Sequence, residues 1–138
     1  MLHDSVEIRR IAQKDMKNFI VSWKIYPFDV MVSVKERQED IVKRIERTGY
    51  KLDADEKEKL WMTGQGRTVM LRGGQTILRL DTLKHGVISH EVFHAVDFLM
   101  NKVGIKLTEE SDEAYAYAIE YLTNEIYKNL KKPKKARK

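Results

Sequence analysis

The chain contains no cysteine. That excludes disulfides, cysteine–zinc knuckles and thiol nucleophiles, and it fits a reducing compartment. Any metal must then be held by histidine and carboxylate. No apolar run approaches the roughly 20 residues that span a membrane, which argues against a membrane partner. The N-terminus, MLHDSVEIRR, lacks the apolar stretch of a secretory signal. Acids are missing from Lys128 onward. KNLKKPKKARK carries seven positive residues and no negative one, so the net charge of +5 resolves into a slightly acidic body and a basic end. Such an end can touch nucleic acid or another acidic surface. The plainer expectation is a solvated, disordered tail over 131–138. No repeat, linker or second domain interrupts the 138 residues, which are 42% apolar and 34% charged. They read as one globular domain over 1–130, with 1–18 as an N-terminal extension.

Val6, Ile8, Ile11 and Met16, set among charges, predict an imperfect amphipathic helix over Asp4 to Asn18. Phe19 to Tyr26 is β-branched and aromatic and reads as a strand. Pro27 interrupts it, and Val30 to Val34 resumes, so the two together read as one broken β-element. Ile41, Val42 and Ile45 give Lys35 to Thr48 one narrow apolar helical face, stopped at Gly49. Leu52 to Met62 predicts a short helix or turn, and Gly64 and Gly66 a loop. Thr68 to Leu71 and Gln75 to Leu80 flank Gly73-Gly74 as a β-hairpin. A helix capped by Asp81 or Thr82 runs from Leu83 to Lys102 and ends at Gly104. A last helix, opened by Glu109 or Ser111, runs to Leu130. The fold class is α+β, a small mixed or antiparallel sheet with the helices on one side.

The chemistry lies in His90-Glu91-Val92-Phe93-His94. On a helix, residues four apart share a face, so His90 and His94 can present two imidazoles to one zinc ion. Glu91 stands beside them as a general base for a water. The competing reading is a pair of core histidines in a buried helix. Catalytic zinc takes three protein ligands. A metzincin supplies a third histidine downstream, and here no histidine follows His94. A gluzincin supplies a glutamate from the next helix, about twenty residues on. Glu113 is 19 residues after His94, with Glu109 and Glu110 as earlier competitors. Asp97 shares the histidine stripe but belongs outside the ligand set. Tyr117, one turn beyond Glu113, is the candidate oxyanion donor, although packing is the commoner role for Tyr115, Tyr117 and Tyr121. Tyr115 and His85 are weaker candidates.

SHEVFHAVDFL followed by SDEAYAYAIEYL, with Trp23-Lys24-Ile25-Tyr26-Pro27 and the Gly-Gly strand pair upstream, resembles small zinc-metallopeptidase-like proteins of tailed bacteriophages. The similarity covers roughly residues 20 to 125. It departs at the N-terminal segment and at Ala114, where a proline is common. It implies a minimal gluzincin fold, zinc as cofactor, and a peptidase site acting on a polypeptide, with the edge of the sheet taking the substrate as an extra strand. Gln75 to Leu80 is the expected edge. The expected setting is the host cytoplasm or the virion. The alternative is a virion structural protein, a neck or tail component in a ring-like homo-oligomer built on this scaffold. A nucleic-acid accessory role through the basic tail is the weakest expectation.

Overall fold

The computed structural model describes residues 16–24, 26, 28–62 and 64–133. The helix expected over Asp4 to Asn18 lies outside these residues except at its end, where Lys17 and Asn18 open a strand instead. Strand β1 (Lys17–Ser22) pairs antiparallel with β2 (Asp29–Val34), from Lys17↔Val34 to Ser22↔Asp29. The broken β-element is therefore two strands that double back. The reversal is closed by Trp23 N donating to Phe28 O at 3.3 Å and Phe28 N to Tyr26 O at 2.8 Å. Phe28 is buried beneath it.

After β2 come helices α1 (Gln38–Glu46) and α2 (Ala54–Leu60). Both are shorter than their apolar periodicity predicts. Helix α2 starts at a capping box: the Asp53 carboxylate accepts from Glu56 N at 2.8 Å, and Glu56 Oε1 accepts from Asp53 N at 3.3 Å. The expected hairpin follows as β3 (Gly66–Met70) and β4 (Thr76–Leu80), antiparallel, with Gly66 already in the strand rather than in a loop. Strand β4 also lies parallel to β2, with Val30↔Thr76 and Val34↔Leu80 in register. The sheet is thus mixed, four-stranded, and ordered β1-β2-β4-β3.

Two long helices complete the fold, α3 (His85–Lys102) and α4 (Asp112–Lys131). Helix α3 starts two residues later than expected. Its N-cap is Lys84, which makes no side-chain cap bond, rather than Asp81 or Thr82. Gly104, at φ +82°, ends it as expected. At the far end of α4, Lys17 Nζ donates to Lys132 O at 2.8 Å and to Leu130 O, tying the last carbonyls of that helix to β1.

The helices lie on both faces of the sheet, not on one. Val21, Val30, Val32, Val34, Leu78 and Leu80 pack against α3 and α4 through Ile88, Val92, Val96, Leu99, Leu122 and Ile126. Val69 and Ile77 face the other way, onto Ile41, Ile45, Leu52 and Leu60 of the α1–α2 layer. Period-two alternation sends neighbouring strand residues to opposite faces, so strands apolar at successive positions require cover on both. Arg79, at 3% exposure, crosses to the second layer. Its guanidinium donates to Leu60 O at 2.7 Å, to Glu36 O at 2.6 Å and to Gln38 Oε1 at 2.9 Å. No described helix is long and apolar enough to cross a membrane.

Candidate metal and acid–base site

Helix α3 buries one side, at Ile88, Val92, Ala95, Val96 and Leu99, and exposes the opposite side. His90 and His94 lie on the exposed side, so they are not core histidines. Their Nε2 atoms are 3.1 Å apart and the rings meet edge to face. Two nitrogens each about 2.0–2.1 Å from a single tetrahedral ion stand roughly 3.3 Å apart. The pair therefore has the spacing of two ligands of one zinc, and as donor types they fit it.

Glu91 leaves the helix on the side facing β3 and is only 5% exposed. Thr68 Oγ1 is 2.9 Å from Glu91 Oε1 and 3.2 Å from Glu91 O. The other carboxylate oxygen, Oε2, is 4.0 Å from His90 Nε2. Gly66 makes this approach possible. A Cβ there would come within 2.8 Å of Glu91 Cγ, 2.9 Å of Val87 Cγ1 and 3.1 Å of Glu91 Oε2. Neither Thr68 nor Gly66 stands out in the sequence. The usable signal is a small residue in the strand that precedes the motif helix, since glycine in a strand often marks close approach of another element.

The remaining candidates are not drawn in. Glu113 is in the first turn of α4 and exposed, as are Glu109 and Glu110 in the preceding turn. Among the described residues, no three His, Asp or Glu side chains gather closely enough to hold a metal. Two side-chain contacts relate the antiparallel helices. His85 Nδ1 meets Tyr127 OH, and Tyr115 OH donates to Asp97 Oδ1 at 3.3 Å, so the same twelve-residue step separates the two contacts on each helix. Residue for residue along those two contacts, Glu113 corresponds to Leu99, seven positions past the midpoint of the histidine pair. Glu120 stands level with Val92, between the two histidines. It is seven residues from both Glu113 and Tyr127 and so shares their stripe of α4.

Tyr117 is 67% exposed, not interior. It borders an apolar hollow of about 440 Å³ with Trp23, Tyr26, Met100 and Tyr121. Tyr115 is buried. Burial, reinforced by the Asp97 charge and hydrogen bond, pushes its phenol above the ordinary tyrosine range and keeps it protonated against Asp97. His85 is exposed and occupied by Tyr127.

Strand β4 is central and buried along its whole length, so Gln75 to Leu80 is not an edge. The edge strand beside Glu91 is β3. No family model, curated protein or solved structure matches this chain.

Proposed function

We propose that this chain is a zinc-dependent peptidase of the minimal gluzincin type, from a tailed bacteriophage. The observation that carries the proposal is the convergence of the His90 and His94 Nε2 atoms at 3.1 Å with the Glu91 carboxylate anchored alongside. His90 and His94 would hold the ion, and a carboxylate of α4 would complete the set. The spacing from the motif favours Glu113, while the helix register favours Glu120. Zinc bound there supplies Lewis acidity and lowers the pKa of a coordinated water to about 7. Glu91 takes the proton of the attacking water at Oε2 and returns it to the leaving amine. Anchoring Oε1 on Thr68 leaves Oε2 as the proton-carrying atom. A polypeptide substrate adds to the sheet along the open edge of β3, where main-chain hydrogen bonds give affinity without demanding one sequence. Tyr117 as oxyanion donor has no support from its surroundings beyond its exposure.

The test is direct. Purified protein should bind about one zinc per chain, and Glu91→Gln should retain that zinc while cleavage of a quenched-fluorescent peptide library falls by roughly 10²–10⁴-fold, the range of a positioned proton-transfer group. Undiminished cleavage by Glu91→Gln would sink the mechanism. Zinc affinities of Glu113→Ala and Glu120→Ala decide the third ligand, the weaker binder identifying it.

A further inference from the structure

We propose that Thr68 is a positioning residue for Glu91, so that β3, the strand offered to a substrate, also sets the proton-transfer group. The inference rests on the peptidase proposal for its catalytic meaning. Its geometric basis is independent of turnover. Glu91 is nearly buried, and among the described residues the side-chain hydroxyl reaching its carboxylate is that of Thr68, at 2.9 Å from Oε1. The same hydroxyl lies 3.2 Å from the Glu91 carbonyl. One proton serves two acceptors of one residue, which fixes the carboxylate relative to its own helix backbone. Removing that donor leaves a buried carboxylate oxygen unsatisfied, and the cheapest relief is rotation toward solvent.

Gly66 works from the other side of the same carboxylate. It lies two residues from Thr68 on one face of β3, and any side chain there would strike Glu91 Cγ and Oε2. The strand thus offers a hydrogen bond at one position and clearance at the next position on that face. Because among the described residues β3 has a neighbour strand on one side only, a peptide pairing with its other edge stiffens the element that orients Glu91. Substrate binding and base alignment are then coupled through Thr68.

The experiment compares Thr68→Val, which keeps the shape and loses the donor, with Thr68→Ser, which keeps the donor, and adds Gly66→Ala. Each is assayed for kcat and KM on one quenched peptide, for zinc content, and in zinc-free form for the ¹³C carboxyl resonance of Glu91, assigned by its loss in Glu91→Gln. The expected result for Thr68→Val is a kcat lower by about 10–100-fold, the scale of a displacement near 1 Å. KM and zinc content stay unchanged and the Glu91 resonance moves. Thr68→Ser should restore kcat to within about threefold and return the resonance, while Gly66→Ala should move it again. Wild-type kcat in Thr68→Val, an unmoved resonance, or equal impairment in Thr68→Ser would overturn the proposal. Should the wild-type chain cleave nothing, the peptidase proposal fails, and the resonance still decides whether Thr68 holds Glu91.

Discussion

Glu56 is a carboxylate at 2% exposure on the second face of the sheet, and its surroundings determine how the protein meets acid. Burial alone pushes its pKa up. The Tyr50 hydroxyl at 2.6 Å, Arg72 N at 3.0 Å and Asp53 N at 3.3 Å donate to it, with the Arg72 charge nearby, and together they outweigh burial and hold it below the usual glutamate range. A carboxylate with a depressed folded pKa adds stability that is fully present above its unfolded pKa, about 4.3, and is lost as the pH falls through the folded value. Glu56→Gln should therefore be less stable than wild type at neutral pH, with a gap that narrows steadily below about pH 4. Urea unfolding of both proteins between pH 7 and pH 3 checks this, and a gap independent of pH would contradict it.

At the scale of elements, α2 is too short to persist alone, since isolated helices below about 12 residues are marginal. It is held by its cap and by what its far end binds. Asp53→Ala removes the capping oxygen and should cost about 1 kcal/mol in urea unfolding, typical of an N-cap. Arg79→Met should cost at least about 2 kcal/mol, because it strands the buried carbonyl of Leu60 and the part-buried one of Glu36. The long helices were legible because their apolar spacing repeats over many turns, and α3 carried the motif in plain view. Strand order was not legible. The parallel pairing of β2 with β4 passes through the whole α1–α2 segment, and no local pattern encodes it. That Thr76–Leu80 is central rather than the expected edge was likewise not legible, because Thr76 and Arg79 interrupt its apolar run although every residue of it is buried. Of the site, His90, Glu91 and His94 came from helical spacing. Which residues of α4 come level with the histidine pair could not be read from spacing along one helix, because it depends on how α3 and α4 pack, as in the Asp97–Tyr115 and His85–Tyr127 contacts.

For the molecule as a whole, the two packed faces determine what zinc can and cannot do for stability. Buried apolar residues fill both sides of the sheet, from Leu122 and Ile126 on one to Ile41 and Leu60 on the other, and none of that packing involves the histidine pair. A small domain folded by its metal unravels when the metal is removed. This one should not. Stripped with a chelator, it should keep its far-ultraviolet circular dichroism and a cooperative thermal transition. Zinc added back should then stabilise only by linkage, by about 2.7 kcal/mol at a free concentration a hundred times its Kd. For a chain of this length that raises Tm by several degrees. The rise should vanish in His90→Ala and in His94→Ala, whose side chains are exposed, and their metal-free Tm should stay within about 1 kcal/mol of wild type in equivalent stability. Loss of the circular dichroism signal on chelation would mean that the metal holds the fold together. A zinc-induced rise in Tm that survives in both histidine variants would place the ion elsewhere.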